Sequence, residues 1–552
     1  MNVGEMQRKL SLWATEHPNH SFGDLYSLMY DRDWLRLAHD HVMQNSGSIT
    51  AGCDGITMSQ FDENLAENLQ KMFEELKAQQ FEPQPTRRVY LQKTNGKLRP
   101  LGIPAIRDRI VQEALRMILE PIYEADFSPY SFGFRPNRCT MDAIKCITWS
   151  TQAHKKFFWV IEGDISSYFD SICHRKLIKL LRHRIKDKKL LNLIWKFLKA
   201  GVMEHKLFRD TQTGVPQGGI LSPLLANVYL HQLDQYMERH TQRSLQERVK
   251  RRQQGLGNAV YIRYADDWVV LLNGTKAEAN ALKQELSEFL QTHLKLRLSD
   301  EKTQVTHLNE GFQFLGFVIQ RKMGHKGMTT KVEIPREAMR KVLGKLRAST
   351  ASSTYSDSVI TKILALNRIY GGWCRYYQYT SNASQIFGSI HTQLFWLLAH
   401  WLGGKFRLKM PQVMRQYLDE RGLGNSRYKL MKPPKTQHYQ RRFLKPNPYL
   451  TQTRIHRENS LDASEWRNPW SGFEVRPGMA DLRPLVLQRD RYTCQACGSL
   501  ITSEQAQVDH IRPVRRFKLP IHANRLENLQ TLCISCHHQK TETDRQMESR
   551  IH

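Results

Sequence analysis

The sequence Tyr261-Ile-Arg-Tyr-Ala-Asp-Asp-Trp-Val-Val-Leu-Leu272 is an apolar stretch interrupted by two adjacent carboxylates, Asp266 and Asp267. Tyr, Ile, Val and Trp favour strands, and the short polar centre can turn the chain, so the pattern predicts a β-hairpin with both acids at its tip. Two carboxylates held this close repel each other, and a divalent metal ion would relieve the repulsion. An ordinary surface turn is the alternative, because Asp is common in turns.

A second hydrophobic stretch, Phe157-Phe-Trp-Val-Ile-Glu-Gly-Asp164, also ends in an acid and predicts another strand. Two-metal phosphoryl transfer needs carboxylates from neighbouring strands around two ions about 4 Å apart. One ion activates the attacking 3′-hydroxyl and the other stabilises the leaving pyrophosphate. Asp164, Asp266 and Asp267 supply such a set, with two Mg²⁺ ions as the expected cofactors.

Three motifs carry a family resemblance: Asp164 with Phe169 five residues later, the run Gly214-Val-Pro-Gln-Gly-Gly-Ile-Leu-Ser-Pro-Leu-Leu-Ala-Asn227, and Tyr264-Ala-Asp-Asp267. In this order they resemble the motifs of reverse transcriptases, in particular the group II intron-encoded type. The resemblance implies a multidomain α+β chain with a right-hand polymerase, whose palm has an antiparallel sheet and whose thumb or maturase domain is helical.

The same resemblance implies roles for residues around the aspartates. The carbonyl of Ile165 would lie near the metal ions, Gln217 would line the nucleotide pocket, and Lys302 is the palm lysine by position. The stretch Phe314-Leu-Gly-Phe317 resembles the primer-grip strand. The ring of Phe169 would exclude a 2′-hydroxyl and so select deoxynucleotides. Core packing alone is the alternative for Phe169, because Phe is usually buried.

A basic hairpin is predicted ahead of the palm, where Thr94-Asn-Gly separates two strand-like runs. Lysine and arginine are suited to bind a triphosphate, and by the family pattern Lys93 and Arg99 are the main candidates. Arg87 and Lys97 are weaker candidates. A solvated basic hairpin that touches template phosphates is the alternative, most of all for Lys97.

The C-terminal region contains Cys494-x-x-Cys497 and Cys533-x-x-Cys536, a four-thiolate pattern typical of a structural zinc site. With Val508-Asp-His-Ile511 between the pairs, the region resembles an HNH nuclease with a zinc-stabilised ββα fold. The resemblance implies that His510 is the general base on water and that Asp509 holds a divalent ion. It also gives three further assignments: His537 as the second ligand, His538 as an alternative to it, and Asn528 as the residue that orients the base. A zinc ribbon that only binds DNA is the alternative.

Composition indicates a polyanionic partner. The 552 residues hold 82 Lys and Arg against 53 Asp and Glu, a formal net charge of +29. Two segments after the palm fit this expectation. The stretch Gly372-Trp-Cys-Arg-Tyr-Tyr377 resembles the maturase domain that grips intron RNA, and residues 401–450 hold 12 Lys and Arg against two acids. The chain lacks a signal-peptide core and a long apolar run, so we expect no membrane attachment and a cytoplasmic location, bacterial or organellar, associated with DNA.

The predicted domains are an N-terminal extension with the start of the fingers (1–80), fingers and palm (81–325), thumb or maturase (326–400), a basic DNA-binding linker (401–480) and the HNH domain (481–552). The N-terminal extension is mostly helical in its sequence pattern. The resemblance implies a mobile-intron protein that assists splicing of a group II intron RNA, nicks target DNA and copies the intron from the nick with dNTPs. A splicing-only maturase with inactive polymerase and nuclease folds is one alternative. A retron or CRISPR-associated reverse transcriptase is the other.

Overall fold

The chain forms two compact units, Met1–Gln452 and Thr453–His552, in the computed structural model. The first unit is described almost throughout and the second only in part. The described residues are 2–450 and 483–540 except 46, 93–95, 97, 205–206, 210–212, 217, 300, 325–326, 437–438, 440–443, 484–485, 488, 491, 503–505, 512–527 and 538.

Helices open the chain, as the sequence predicts. They are α1 (Val3–Glu16), α2 (Arg32–Gln44), α3 (Met58–Glu63) and α4 (Leu65–Lys77). A capping box between Thr57 and Gln60 satisfies free N–H groups at the start of α3 and fixes that start at Met58.

Helix α5 (Ile106–Glu124) differs from the amphipathic helix that its sequence suggests, because nearly every one of its residues is buried. Helices α1 and α2 pack on it, and α10 (Ser222–Thr241) also contacts it. Two of its acids are paired: Arg116 binds Glu113 at 2.7 Å, and Arg135 binds Glu124 at 2.7 Å. Salt bridges therefore let a sequence with polar positions serve as a central helix.

The predicted basic hairpin is confirmed as part of a four-stranded sheet with the order β2-β1-β4-β5. Strand β1 pairs antiparallel with β2, with Arg87 opposite Ile103 and Leu91 opposite Arg99. The strands are β1 (Thr86–Gln92), β2 (Leu98–Ile103), β4 (Val202–Glu204) and β5 (Leu207–Arg209).

The palm sheet has the order β6-β7-β3-β8, and all its pairings are antiparallel. Ile161 and Val270 pack on one face with the helices of the fingers and palm, while Val160 and Leu271 pack on the other face with the thumb. Both faces of the sheet are covered, and the two central strands β3 and β7 are accordingly mostly apolar. The strands are β3 (Trp159–Gly163), β6 (Ala259–Tyr264), β7 (Asp267–Leu272) and β8 (Gln304–His307).

Helices surround this sheet on the fingers side. After the short helix α7, helices α8 and α9 form a hairpin, α10 packs against β6, and α12 lies against β3. The helices are α6 (Thr140–Ser150), α7 (Tyr168–Ser171), α8 (His174–Leu181), α9 (Lys188–Lys199), α11 (Leu245–Gln253) and α12 (Lys276–Phe289).

A buried ion pair ties the palm hairpin to α10. Arg263 donates two hydrogen bonds to the Asp234 carboxylate, at 2.7 and 2.6 Å, and both side chains are fully buried. The same guanidinium donates to the side-chain oxygen of Asn227 and to the carbonyl of Ala265, both at 2.9 Å. Asn227 in turn donates to the carbonyl of Gly133. The network therefore fixes three separate segments around the hairpin turn.

The predicted primer-grip strand Phe314–Phe317 is wrong in detail, because these residues form a turn. Strand β9 (Phe312–Phe314) ends before it and β10 (Phe317–Gly324) begins after it. Leu315 and Gly316 have φ values of 49° and 74°, the left-handed pair that a two-residue hairpin needs. Strand β11 (Gly327–Glu333) completes this sheet.

The thumb follows as a helical layer, as expected. Tyr376 and Tyr377 of α14 donate hydrogen bonds to the carbonyls of Leu315 and Gly316, so the thumb is fixed to the β9–β10 turn. Helix α15 extends to Phe406, beyond the predicted boundary at residue 400. The helices are α13 (Arg336–Ser349), α14 (Val359–Tyr377), α15 (Ala383–Phe406) and α16 (Met410–Tyr417), followed by the hairpin β12 (Leu418–Asp419) and β13 (Gly422–Leu423).

In the C-terminal unit, β14 (Ala506–His510) pairs antiparallel with β15 (Leu529–Cys533). None of the helices in the described part of the whole chain has the length and apolar character needed to cross a bilayer.

We predict that Asp234→Ala lowers the free energy of unfolding of the first unit by about 3–5 kcal/mol, because it leaves the buried Arg263 charge unpaired. Urea denaturation followed by tryptophan fluorescence measures this. The matched control is Glu337→Ala, which breaks the exposed Lys341–Glu337 pair and is expected to change stability little. Equal effects of the two substitutions would contradict the role assigned to the buried pair.

Candidate active sites

The predicted hairpin with two acids at its tip is confirmed. Tyr264 pairs with Asp267, so Ala265 and Asp266 form the two-residue turn. Ala265 has φ of 58°, which a two-residue hairpin turn requires. Gly133 packs against this turn so closely that a Cβ atom there would lie 2.3 Å from the backbone nitrogen of Ala265. The turn that carries the acids is therefore fixed from outside the hairpin.

Strand pairing brings the third acid to the same place. Strands β3 and β7 are antiparallel with Gly163 opposite Trp268, so the end of β3 meets the start of β7. Asp164, the residue after β3, therefore lies beside Asp267. Gly163 is required here, because a Cβ atom would lie 2.2 Å from the indole ring of Trp268.

A lysine approaches the acids from the chain after α12. Lys302 Nζ lies 2.9 Å from Asp164 Oδ2, with its side chain 65% exposed. The Ser299 N–H donates to the Asp164 carbonyl at 2.8 Å, and Ile165 forms an antiparallel bridge with Leu298. The backbone around Asp164 is thus held, and a side-chain cation already contacts its carboxylate.

The electrostatics of the acids indicate unbalanced negative charge. Asp267 lies at an open surface, yet partial desolvation, with the charges of Asp266 and Asp164, raises its pKa to about 6. Desolvation and the charge of Asp164 also raise the pKa of Asp266, against the lowering effect of Arg99 and Lys302. A bound cation would relieve both shifts.

The residues present therefore fit divalent metal ions. The ligands are carboxylate oxygens, which Mg²⁺ prefers.

Phe169 lies on the chain segment after Asp164 and is 8% exposed. Its carbonyl accepts a hydrogen bond from the Val215 N–H at 2.8 Å, which joins it to the glycine-rich loop. Gly214 in this loop has φ of 93°, and a Cβ atom there would lie about 3 Å from the backbone of Asp170. The fold thus brings the Phe169 motif and the glycine-rich motif together. The burial of Phe169 is consistent both with core packing and with exclusion of a 2′-hydroxyl.

Two candidate triphosphate ligands lie on one face of the β1–β2 ribbon. The charge of Arg99 acts on both Asp266 and Asp170, which places Arg99 near the acids. Arg87 is opposite Ile103, which lies on the same face of β2 as Arg99, since alternate residues of a strand point the same way. Its Nε is buried without a hydrogen-bond partner among the described residues. The candidates Lys93, Lys97 and Gln217 lie outside the described residues.

Sequence reasoning missed Arg88 and Asp170. With Gly214 they line a cavity of about 180 Å³ on the other face of the ribbon from Arg87. Desolvation raises the pKa of Asp170, and the charges of Arg88 and Arg99 oppose that rise. The position of Asp170, six residues after Asp164 and next to Phe169, was the available signal. Arg88 gave none beyond its charge, because strand alternation alone does not tell which face of the ribbon lines the cavity.

In the C-terminal unit, strand pairing brings together two of the predicted nuclease residues. His510 is opposite Leu529, and the Ile511 N–H donates to the Asn528 carbonyl at 2.7 Å. His510 is buried, with 2% of its surface exposed. Asp509 forms a salt bridge with Lys540 at 3.1 Å. His537 is among the described residues of this unit, and His538 lies outside them.

The four predicted cysteines do converge. One sulfur from each of Cys494, Cys497, Cys533 and Cys536 lies within 4.8 Å of the others. Hydrogen bonds from Ser535 and from the Cys536 N–H lower the pKa of Cys533 to about 6, while the neighbouring Cys533 and Cys497 sulfurs raise the pKa of Cys536. A zinc ion would favour the thiolate form of all four. The set is compatible with a structural zinc site.

Three family models match this chain. They are "Reverse transcriptase (RNA-dependent DNA polymerase)" over residues 91–319, "Group II intron, maturase-specific domain" over residues 339–418 and "HNH endonuclease" over residues 494–543. The matches follow the order of the palm, the thumb and the C-terminal unit. They define the class of the protein: a reverse transcriptase joined to a maturase domain and an endonuclease domain.

Related proteins agree with this class. Protein YkfC of Escherichia coli is 42% identical over 367 residues, which cover 63% of this chain and 96% of YkfC. The group II intron-encoded protein LtrA of Lactococcus lactis is 35% identical over 59% of this chain and 61% of LtrA. An uncharacterized 91 kDa protein in the cob intron of Schizosaccharomyces pombe is 28% identical over 97% of this chain. The chain belongs to the group II intron-encoded proteins, with an RNA-directed DNA polymerase, a maturase domain and an HNH endonuclease.

We predict that the Mg²⁺ concentration needed for half-maximal primer extension rises as the pH falls below about 6. Protons and Mg²⁺ compete for the Asp267 carboxylate, so the requirement is expected to increase up to about tenfold per pH unit. Titrations of Mg²⁺ at a series of pH values measure this. A requirement that stays constant from about pH 7 to about pH 5 would contradict the raised pKa.

Proposed function

We propose that this protein copies its intron RNA into DNA at a nicked target site. The observation that carries the proposal is the convergence of Asp164, Asp266 and Asp267 at the end of the β3–β7 pair, in one chain with an HNH unit. Joining the two activities gives a direct use for the nick. The 3′-hydroxyl that the nuclease exposes on target DNA serves as the primer for the polymerase.

At the polymerase site, Asp164, Asp266 and Asp267 would hold two Mg²⁺ ions, with the carbonyl of Ile165 close by. The ions, when bound, supply activation of the 3′-hydroxyl and charge stabilisation of the pyrophosphate. Lys302, which contacts the Asp164 carboxylate and is largely exposed, would bind the nucleotide phosphates beside the acids. Arg99, already within electrostatic reach of Asp266, neutralises the triphosphate.

The remaining nucleotide contacts follow the motif positions. Lys93, Lys97 and Arg87 complete the set of triphosphate ligands from the β1–β2 hairpin, and Gln217 lines the nucleotide pocket. Phe169 closes the space that a ribose 2′-hydroxyl needs, supported by its link to the Val215 N–H.

At the nuclease site, His510 accepts a proton from the attacking water. Asp509 and His537 hold one divalent ion at the scissile phosphate, with His538 as the alternative ligand. The ion, when bound, supplies charge stabilisation at that phosphate. The buried position of His510 beside Asn528 supports a fixed ring orientation, in which Asn528 orients the base. The four cysteines hold a structural Zn²⁺.

The partners follow from charge and domain content. The maturase domain and the net charge of +29 support binding of a group II intron RNA and promotion of its splicing. Target DNA and dNTPs are the substrates of the two catalytic sites.

We predict that Asp266→Ala/Asp267→Ala abolishes cDNA synthesis and leaves RNA splicing and DNA nicking intact. The substitutions remove metal ligands from the palm and change no residue of the HNH unit. Primer extension on an RNA template, a splicing assay and a nicking assay measure the three activities.

The matched variant is His510→Ala, which is expected to abolish nicking while extension from a ready-made primer continues. Residual cDNA synthesis in the palm variant would exclude the polymerase assignment. Nicking by His510→Ala at the wild-type rate would exclude the nuclease assignment, and a wild type that splices but neither extends nor nicks would support a splicing-only maturase.

We predict that Phe169→Val raises incorporation of ribonucleotides relative to deoxynucleotides by about tenfold or more, because it opens space for the 2′-hydroxyl. The ratio of kcat/KM values for rNTP and dNTP measures this, and it is insensitive to a loss of folded protein. Tyr168→Phe is the control, since Tyr168 is the neighbouring buried ring and its hydroxyl donates to the Ala226 carbonyl. If Phe169 only packs the core, both variants will keep the wild-type ratio.

A further inference from the structure

A basic cleft lies on the hairpin of α8 and α9. It has a volume of about 730 Å³, and Arg175, Arg182, Lys186 and Lys188 line it. None of the residues assigned to the polymerase or nuclease sites lines this cleft. Pockets of this size hold ligands of one or two nucleotides.

The cationic side chains of the cleft are unneutralised. In the part of the chain that the structure describes, none of the four lining cations pairs with a carboxylate. Residues 174–189 hold eight lysines and arginines and one acid, Asp187. That acid is buried and accepts hydrogen bonds from the N–H groups of Leu25, Tyr26, Lys189 and Leu190. The cleft is therefore a site of strong positive potential.

The floor of the cleft is apolar, with Ile178, Ile185, Leu191 and Trp195 beneath the charged rim. The Trp195 ring is half-buried, and the edge of the His174 ring packs against it at 6.1 Å between centroids. A cationic rim over an aromatic and aliphatic floor matches an unpaired nucleotide strand, whose phosphates face the rim and whose bases stack below. An acidic peptide would satisfy the rim and leave the floor uncovered. A duplex would keep its bases away from the floor.

The cleft is also held in place, unlike a solvated basic helix face. Arg184, at the turn between α8 and α9, donates to the carbonyls of Ala14, His17 and His20 at 2.7–3.1 Å. Ile185 forms a parallel bridge with Phe22. A preorganised surface loses less entropy on binding, which favours a binding role.

We propose that this cleft docks an unpaired segment of RNA, as a second RNA site apart from the polymerase aspartates. Asn192, the uncharged polar residue that lines the cleft, offers a donor and an acceptor to a 2′-hydroxyl. The proposal rests on the proposed function only in naming the intron RNA as the strand that occupies the cleft. An experiment can therefore refute the RNA site in the cleft without refuting the polymerase assignment, and the reverse.

The test uses the full-length protein preloaded with a saturating RNA template and DNA primer, which occupy the polymerase site. Binding of a second, labelled single-stranded oligo(U) is then measured by fluorescence anisotropy over a range of salt concentrations. The variant is Arg175→Gln/Arg182→Gln/Lys188→Gln. The matched control is Arg248→Gln/Lys250→Gln/Arg252→Gln on the exposed face of α11, which removes equal charge elsewhere.

We expect the cleft variant to bind oligo(U) at least about tenfold more weakly and to lower the salt slope of log K by about 2, since each phosphate contact on a single strand contributes about 0.7. The control is expected to change affinity less than about twofold. Primer extension should persist in both variants.

Two further measurements locate the bound strand. Hydrogen exchange of α8 and α9 in the wild type should slow on oligo(U) binding. The substitution Asn192→Ala should reduce the preference for oligo(U) over oligo(dT).

Three outcomes would overturn the proposal. The first is the absence of oligo(U) binding to the loaded wild type, and the second is an equal loss in the control variant, which would show only a general charge effect. The third is equal binding of oligo(dT) by the wild type, which would exclude RNA as the specific occupant. A wild-type protein that binds oligo(U) but does not extend the primer would instead contradict the proposed function and leave the cleft assignment standing.

Discussion

The buried bond between Arg263 and Asp234 is the constraint on which the polymerase site depends. A two-residue turn that carries adjacent carboxylates has little of its own to hold it, because the like charges repel. Arg263 reaches from β6 to α10 and also holds the Ala265 carbonyl within the turn. Through Asn227 it fixes the Gly133 loop, whose missing side chain lets that loop lie against the turn. Desolvating this ion pair is costly, and the position of the acids is what the fold gains from it.

The acids themselves are kept in an unfavourable state. Asp267 has a pKa near 6, and neighbouring carboxylates contribute to that rise, so the protein without metal carries repulsion at neutral pH. Since the folded pKa lies above the unfolded one, this group destabilises the folded state increasingly as the pH rises from about 4 to about 6. Lys302 offsets part of the charge at Asp164. A divalent cation would relieve what remains, which is how a metal-dependent site couples metal binding to stability.

The charge of the chain is divided between structure and binding. Some basic residues in the region after the thumb are already paired, as Lys445 with Asp142 and Lys429 with Asp419. Others, above all those lining the α8–α9 cleft, have no acidic partner among the described residues. A net charge alone therefore indicates a polyanionic partner without locating it. The pairing pattern of individual side chains locates it, because only unneutralised cations can displace counterions from phosphate.

The sequence by itself determined the palm hairpin, the strand before Asp164, the helical N-terminus and thumb, and the set of four cysteines, because local periodicity, turn chemistry and ligand spacing are short-range properties. It did not determine that α5 is buried on all sides or that Phe314–Phe317 is a turn, since both depend on neighbours distant in sequence. Only the tertiary structure showed that Arg88 and Asp170 share a cavity while Arg87 and Arg99 lie on the other face of the β1–β2 ribbon. The face that a strand residue occupies is fixed by sheet packing, and the partner of a charge by chain crossings that no local pattern encodes.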